Sequence, residues 1–306
     1  MGRVLSRLKS TTLNRRFAAI DIGTNGVRLL LASASMDQNR IEIRKDSVVR
    51  IPIRLGEDVF KDKKISNEKI TDLVNTIRGF RFLIEAYKPI AMRAVATSAM
   101  READNAKDVL KKIYKASQTQ IELISGTEEA QTIYSAHLQQ NYSSQSLYLY
   151  IDVGGGSTEV ILFEKEKIID CKSFNIGTVR SLQGDDNDEE RKNLKKWLIK
   201  TIPTGEKITA VGTGGNINRA MKILGHKKQT VLHHQDIKDF YDKIKNMSTD
   251  EKIMRYKLKN DRADVIVPAL KIYLTILKNA GLESIMVPNL GLVDGLIFEL
   301  AKKNLS

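Results

Sequence analysis

The chain has 306 residues, of which 42% are hydrophobic and 28% are charged, and this composition is typical of a soluble globular protein with a sizeable core. No apolar stretch approaches the roughly 20 residues that a membrane span requires, and the single cysteine, Cys171, excludes an internal disulfide and argues against a cysteine–histidine zinc site, so we expect a cytoplasmic protein with no membrane partner. The formal net charge of +13 favours a polyanionic partner, but nucleic acid is not expected, because aromatic residues make up only 6% and do not alternate with basic ones.

The first 16 residues form a basic segment without an acidic residue. The segment lacks the continuous apolar stretch of a secretory signal, and we interpret it as a basic tail that precedes the first strand. Met1, Gly2 and Ser6 also fit the loose pattern for N-myristoylation, and a transit peptide is an open alternative.

The first half of the chain begins with predicted strands between residues 17 and 49, with a turn near residues 37–39. A helix is predicted from residue 67 to residue 87, because apolar residues recur there at helical spacing and Ser66 is a suitable N-cap. The elements predicted after it are a strand over 90–96, a helix from the Thr97 motif to about residue 117, a strand over 121–124 and a helix over 126–139.

The second half repeats this plan. The predicted strands cover 146–152, 158–164, 167–174, 208–211 and 284–287, and the predicted helices cover 188–201, 214–223, 235–246, 261–279 and 291–303. Strand meanders followed by alternating helices and strands occur twice, so we predict an α/β fold with two similar lobes and an interlobe cleft. The predicted domains are the tail (1–16), lobe I (17–128, completed by the C-terminal helix 291–306) and lobe II (129–290).

Two glycine turns are the most informative local feature. The first is Asp-Ile-Gly-Thr-Asn-Gly at 21–26, and the second is Asp-Val-Gly-Gly-Gly-Ser-Thr at 152–158; each lies between two apolar runs, as in a strand–turn–strand unit. Glycine lets the backbone approach an anion, and successive N–H groups then cradle phosphate. A third turn at 212–216 opens a helix, whose N-terminus is itself an anion site. The sequence therefore predicts a cleft that binds a phosphate chain from both sides.

Further motifs occur in a fixed order with these turns. They are Ala-Thr-Ser-Ala-Met-Arg-Glu-Ala-Asp-Asn at 96–105, Ser-Gly-Thr-Glu-Glu-Ala at 125–130, Gly-Thr-Gly-Gly at 212–215 and Asp-Arg-Ala-Asp at 261–264. In this order and over residues 17–303, the chain resembles the exopolyphosphatase/guanosine-pentaphosphate phosphohydrolase family of the actin/Hsp70/sugar-kinase fold. Longer members carry an additional C-terminal helical domain, and this chain resembles the short, two-domain form.

The resemblance implies two actin-like (ribonuclease-H-like) lobes and hydrolysis of a terminal phosphoanhydride. It implies inorganic polyphosphate or guanosine penta- or tetraphosphate as ligand and Mg²⁺ or another divalent cation as cofactor, and it is compatible with a homodimer. The glycine turns alone also fit a kinase of the same fold or a non-hydrolytic sensor of polyphosphate or nucleotide. The glutamate pair at 128–129 and the arginine of the 96–105 motif favour hydrolysis.

By the same resemblance, Glu129, immediately before Ala130, is the base that deprotonates the attacking water. Its neighbour Glu128 points about 100° away on a helix, so both cannot face one water; Glu129 is preferred and Glu128 is the alternative. A competing interpretation is that both are first-turn acids that favour the helix dipole.

Asp152 and Glu159 flank the second glycine turn, and a hairpin brings both carboxylates to the same end. Oxygen ligands suit Mg²⁺, so we predict that this pair holds the metal, with Asp21 holding a water or contributing indirectly. The alternative is an aspartate that caps the turn amides and a glutamate on a solvent face. The acidic run at 185–190 is interpreted as a solvated loop before a helix rather than as a metal site.

The remaining predicted site residues contact phosphate. The family commonly has serine after the asparagine of the first turn, where this chain has Gly26, so a hydroxyl donor is missing; Arg28 is common at its place in the family and is expected to reach the same oxygens. Arg101 is expected to bind phosphate through its guanidinium, with a surface pair to Glu102 or Asp104 as the alternative. The predicted phosphate-binding residues are Thr24, Asn25, Arg28, Arg101, Gly154, Gly155, Gly156, Ser157, Thr158, Gly212, Gly214 and Gly215.

Overall fold

The computed structural model describes residues 14–38, 40–137, 147–164, 167–185, 187–203, 205–225 and 230–305. Most of the predicted basic tail therefore lies outside the described residues, as do residues 138 and 139 of the helix predicted over 126–139. In the described ranges, no helix combines the length and the apolar character that crossing a membrane requires.

The first half of the chain alternates strands and helices as expected. Its elements are β1 (Arg15–Ile22), β2 (Val27–Asp37), β3 (Arg40–Ile51), α1 (Leu55–Asp62), α2 (Asn67–Tyr87), β4 (Ala91–Ala96), α3 (Ser98–Glu102), α4 (Ala106–Ser117), β5 (Glu122–Leu123) and α5 (Gly126–His137). The predicted cap of α2 is confirmed, because the Ser66 side chain accepts a hydrogen bond from the backbone N–H of Lys69.

The second half contains the same alternation. Its elements are β6 (Leu147–Val153), β7 (Thr158–Glu164), β8 (Lys167–Phe174), α6 (Thr178–Leu182), α7 (Asp188–Thr201), β9 (Ile208–Thr213), α8 (Gly215–Leu224), β10 (Val231–His233), α9 (His234–Ile244), α10 (Thr249–Tyr256), α11 (Asn260–Ala263), α12 (Ile266–Asn279), β11 (Ser284–Met286) and α13 (Leu292–Leu305).

The helix predicted over 261–279 is wrong as a single element, because α11 ends at Ala263 and α12 begins at Ile266. Pro268 lies in the first turn of α12 and has no N–H, so it cannot bond to the carbonyl of residue 264 and a continuous helix is interrupted there. The helix predicted from the Thr97 motif to residue 117 is likewise divided, into α3 and α4. The prediction also missed α1, α6, α10 and β10, each of which is too short to show a clear apolar period.

The two sheets have the same strand order. In the described residues the first sheet runs β3-β2-β1-β4-β5 and the second runs β10-β11-β9-β6-β7-β8. In each sheet, the first three strands along the chain form an antiparallel meander. In the first sheet β4 pairs in parallel with β1, and β5 pairs in parallel with β4. In the second sheet β9 pairs in parallel with β6, and β11 pairs in parallel with β9. When β6 is matched to β1, the strands correspond one by one and β10 is added at an edge. The predicted α/β fold with two similar lobes is confirmed.

Helices α5 and α13 join the two sheets through a shared core. That core contains Phe17 of β1 and Phe163 of β7 together with Ile133 of α5 and Leu296 of α13, all of them buried. Because residues of both sheets pack on the same two helices, this core holds the two sheets together. The domain boundaries predicted at residues 128 and 290 stay predictions.

Arg180 of α6 joins the two halves on one side of the cleft. Its guanidinium donates hydrogen bonds to the backbone carbonyl of Gly156 at 2.8 Å, to Glu102 of α3 and to Asp185. The same guanidinium lies over the ring of Phe60 of α1, with the carbon at its centre 4.1 Å from the ring centroid. The arginine is buried, and it therefore holds the second glycine turn against two helices of the first half.

Salt bridges also join the two halves of the chain at a second place. Arg50, near the end of β3, pairs with Asp261 of α11, and Arg54 pairs with Asp264. Asn25 of the first glycine turn donates to the backbone carbonyl of Asp261 at 2.9 Å. The two halves of the chain therefore contact each other at more than one place.

Replacing Arg180→Gln is expected to lower the free energy of unfolding by about 2 kcal/mol, because Glu102 and Asp185 lose a charged donor that is itself buried. The control is Arg81→Gln, which removes an arginine from an exposed pair with Glu85 on α2 and is expected to cost less than about 0.5 kcal/mol. Urea denaturation of both variants measures the difference, and equal losses would contradict the role assigned to Arg180.

Replacing Gly295→Ala is expected to destabilise the fold by about 2 kcal/mol or more, because a Cβ there would lie 1.8 Å from the carbonyl oxygen of Thr132 on α5. Gly79→Ala is the matched control within helix α2, since a Cβ at Gly79 meets no heavy atom within 4 Å. That change is expected to stabilise by about 0.5–1 kcal/mol. Thermal or urea unfolding that ranks the two variants in the reverse order would refute the close packing of α13 on α5.

Candidate active site

A cleft of about 690 Å³, part of it open to solvent, lies where the three glycine turns meet. Residues from both halves of the chain and from α5 line it. The glycine turns therefore lie together on one cleft, as the sequence predicted. The predicted site residues on its wall are Asp21, Thr24, Asn25, Arg28, Glu129, Asp152, Gly154, Gly155, Gly156, Ser157, Gly214 and Gly215.

The turns approach so closely that only glycine fits at their contact. A Cβ at Gly156 would lie 1.9 Å from the hydroxyl oxygen of Ser98 and 2.9 Å from that of Thr24. A Cβ at Gly155 would lie 2.8 Å from two side-chain carbons of Thr24. Gly214 has φ +101°, in the left-handed region, and packs on the backbone of the second turn. The first and second turns are therefore in direct contact.

The two hairpins have an aspartate at one pair of equivalent positions and opposite charges at the other. In the first, Asp21 is directly opposite Arg28, which donates a hydrogen bond to it at 3.1 Å. In the second, Asp152 is directly opposite Glu159. Burial raises the pKa of Asp21 even though Arg28 acts to lower it. One hairpin therefore offers a cation to the cleft, while in the other Asp152 lines the cleft and Glu159 is buried and is not on the cleft wall.

Asp152 is oriented by a chain of hydroxyl groups. The Thr213 hydroxyl donates to the Asp152 carboxylate at 2.5 Å and accepts from the hydroxyl of Tyr150 at 2.6 Å. The hydroxyl of Tyr273 donates to the backbone carbonyl of Thr213. Burial is the main cause that raises the pKa of Asp152, and the Thr213 hydrogen bond opposes it.

Glu159 has one oxygen that lacks a partner. Its Oε1 accepts a hydrogen bond from Ser173 at 2.8 Å, whereas its Oε2 is buried and has no hydrogen-bond partner among the described residues. Burial, and then the charge of Asp152, raise the pKa of Glu159 to about 7. A cation beside this pair would satisfy the orphan oxygen and offset the repulsion.

In the part of the chain that the structure describes, no three or more Asp, Glu, His or Cys side chains come together as a metal site. The donors are nevertheless carboxylate oxygens, which are hard ligands. An ion held by Asp152 and Glu159 would take its other ligands from water and phosphate, as Mg²⁺ commonly does. The chemistry of these two donors therefore fits a divalent cation.

Glu129 lies on the wall of the cleft, in the first turn of α5. Its Oε2 accepts a hydrogen bond from Arg101 at 3.1 Å. Burial, and then the charge of Glu159, raise its pKa well above the usual value for glutamate. Glu128 instead pairs with Arg93 at 2.9 Å and is half exposed, away from the cleft wall. The helical rotation separates the two carboxylates as expected.

The structure does not bring every predicted residue to the cleft wall. Arg101 lies behind Glu129 and also donates to the backbone carbonyl of Ile124 at 2.9 Å, rather than pairing with Glu102 or Asp104. Thr158 donates to the carbonyl of Ile176 at 2.6 Å. Gly212 packs on β11, where a Cβ would lie 2.6 Å from Ile285. Direct contact of these residues with phosphate stays a prediction.

Several residues on the cleft wall were not predicted. They are Arg50, Thr97, Ser98, Thr178, Asn216 and Arg262. The motifs at 96–105 and 261–264 contain three of them, but no role had been assigned to those positions. Arg50 comes near the end of a long strand and carries no local signal. It borders the place where Gly26 lacks a side chain, since a Cβ at Gly26 would lie 3.0 Å from its guanidinium. A charged donor therefore lies beside the position at which the serine hydroxyl is missing.

The sequence of this chain is similar to the sequences of two named bacterial proteins. A bifunctional 3-dehydroquinate synthase/phosphatase of Fusobacterium nucleatum subsp. nucleatum is 28% identical over 323 residues, which covers 97% of this chain and 48% of that protein. Exopolyphosphatase 2 of Mycobacterium tuberculosis is 25% identical over 317 residues, which covers 94% of this chain and 98% of that protein. The chain thus spans about half the length of the first relative and nearly all of the second.

The same family is found among solved structures. The crystal structure of the Aquifex aeolicus member of the Ppx/GppA protein family matches with a TM-score of 0.74 and 26% identity, over 96% of this chain and 100% of that chain. The family model described as the Ppx/GppA phosphatase family matches residues 49–304, which is most of the sequence and includes the 96–105, 125–130 and second glycine-turn motifs. With its fold, motif order and cleft in agreement, this chain belongs to the Ppx/GppA phosphatase family.

Proposed function

We propose that this protein releases the terminal phosphate from inorganic polyphosphate or guanosine pentaphosphate by in-line attack of water. The observation that carries the proposal is the position of Glu129, a buried carboxylate on the wall of the cleft that the glycine turns also line. The name of the Mycobacterium relative, exopolyphosphatase, and membership of the family support this class of reaction.

In this proposal Glu129 accepts the proton of the attacking water. A carboxylate with an ordinary pKa is a weak base at neutral pH, and burial beside Glu159 raises the pKa of Glu129 and so strengthens it. Arg101 fixes the orientation of the carboxylate through its hydrogen bond to Oε2. Arg101 is then a positioning residue that acts through Glu129.

Cations and backbone amides on the cleft wall stabilise the phosphate. Arg28, Arg50 and Arg262 supply guanidinium groups, and the glycine turns and the N-terminus of α8 supply N–H donors. These donors are held in place before the substrate arrives, so they need little reorganisation when negative charge builds up on the transferring group.

We further propose that Asp152 and Glu159 hold Mg²⁺ or another divalent cation. The orphan oxygen of Glu159 and the fixed orientation of Asp152 support this assignment. When bound, such an ion supplies positive charge to the phosphate oxygens. Asp21 is paired with Arg28 and holds that guanidinium beside the cleft, so its indirect contribution to the metal stays a prediction. The predicted homodimer and cytoplasmic location also stay predictions.

Phosphate release from long polyphosphate, guanosine pentaphosphate and ATP, each with and without Mg²⁺ and without an acceptor, tests the proposal. We expect release from polyphosphate or guanosine pentaphosphate that depends on the divalent cation. Transfer of phosphate to an added acceptor, with no release of free phosphate, would indicate a kinase, and unchanged substrate after long incubation would indicate a sensor. Either result would refute the proposed hydrolysis.

Replacing Glu129→Gln is expected to lower kcat by roughly 10² or more with little change in substrate binding, because the amide keeps the size of the side chain but cannot accept the proton. Glu128→Gln is the matched control on the adjacent residue, and it is expected to stay within about twofold of the wild type because that side chain pairs with Arg93 away from the cleft. Steady-state phosphate release measures both. Near-normal turnover in Glu129→Gln would exclude the role of base.

A further inference from the structure

A second groove, which we call the basic groove, lies next to the cleft and is lined in part by helix α8. Its cationic lining residues are Arg50, Arg219, Lys222, Lys257, Lys259 and Arg262. Arg50, Gly215 and Arg262 also line the cleft, so the two spaces are adjacent. The basic groove has a volume of about 660 Å³, part of it open to solvent.

The positive charge in the basic groove is largely unbalanced. Arg50 and Arg262 both lie near Asp261, but Lys222, Lys257 and Lys259 have no carboxylate within salt-bridge distance among the described residues. Burial, and then the charges of Arg50 and Arg28, lower the pKa of Arg262 to about 9, which reflects the same crowding of cations. A bound polyanion would relieve this repulsion.

The chemistry of the lining favours phosphates over a nucleoside base. Apart from Asn218, every side chain on the described wall of the basic groove is cationic. The wall offers no aromatic ring on which a base could stack and no carboxylate to accept hydrogen bonds from the donor edge of a guanine. Lysine ammonium groups act as mobile point charges, so they tolerate any register of a repetitive anionic chain.

Arg219 of helix α8 connects two parts of the wall of the basic groove. The guanidinium of Arg219 donates to the backbone carbonyls of Tyr256 and Lys257 at 2.7 and 2.6 Å. These bonds place Lys257, in a left-handed conformation at the end of α10, opposite Lys222 of α8. Arg219 is therefore a structural support, and the three lysines are the groups available to a ligand.

We propose that the basic groove binds the inner phosphates of a linear polyphosphate whose terminal phosphate lies in the cleft. This proposal rests on the proposed function, because it assumes that the end of the chain is held near Glu129. It assigns long polyphosphate, rather than guanosine pentaphosphate, as the substrate that uses both spaces.

The test replaces all three lysines together, Lys222→Gln, Lys257→Gln and Lys259→Gln. The matched control replaces three exposed lysines of α4, Lys111→Gln, Lys112→Gln and Lys115→Gln, and so removes the same net charge far from the cleft wall. kcat/KM is measured for long polyphosphate, tripolyphosphate and guanosine pentaphosphate. We expect the ratio of long-chain to tripolyphosphate kcat/KM to fall roughly tenfold to thirtyfold in the groove variant and to stay within about twofold in the control, with a weaker salt dependence for the long chain in the groove variant.

Equal losses in the two triple variants would show a non-specific effect of net charge and would overturn the proposal, as would an unchanged ratio in the groove variant. A loss confined to guanosine pentaphosphate would assign the groove to the 3′-diphosphate of that nucleotide and would also overturn it. Equilibrium binding of a fluorescently labelled long polyphosphate to the wild type and both variants separates this question from hydrolysis. Weaker binding in the groove variant alone would support the groove even if no phosphate were released, a result that would refute only the proposed function.

Discussion

The cleft depends on the contact between the two glycine turns. Gly155 and Gly156 lie against Thr24 and Ser98 at distances that no larger residue allows. This contact joins turns that belong to different sheets, and salt bridges between the two halves of the chain hold the sheets in that relation. A side chain at either glycine would separate the turns, and the cleft would lose the narrow space between them.

Charge is distributed asymmetrically over two hairpins of the same geometry. The strand pairing that places Arg28 opposite Asp21 in the first hairpin places Glu159 opposite Asp152 in the second. The two hairpins therefore have the same geometry and different chemistry. The hairpin with Arg28 is suited to phosphate oxygens, and the hairpin with two carboxylates is suited to a cation. Glu129 lies between the repeats on α5, where the charges of Asp21 and Glu159 both act to raise its pKa and that of Arg101 acts to lower it.

The elements with strong periodic patterns were predictable. Helix α2, with its Ser66 cap, and the strands on either side of the glycine turns agree with the sequence to within a few residues. The failures have local causes: α1 is a short helix whose start is held by a hydrogen bond from the Gly56 N–H to the carbonyl of Thr24, and such a long-range contact leaves no periodic pattern in the sequence. The division between α11 and α12 follows from Pro268, whose effect could have been anticipated from its missing N–H.

The sequence by itself determined the glycine turns, which depend on residue type and local spacing, and the family resemblance, which depends on the order of the motifs. The preference for Glu129 over Glu128 followed from that resemblance. Only the tertiary structure decided that Arg101 lies behind Glu129, that Arg50 borders Gly26, and that lysines from α8 and from the segment after α10 share one groove. These relations join residues far apart in the chain. They arise from the packing of one sheet against the other, which local patterns do not encode.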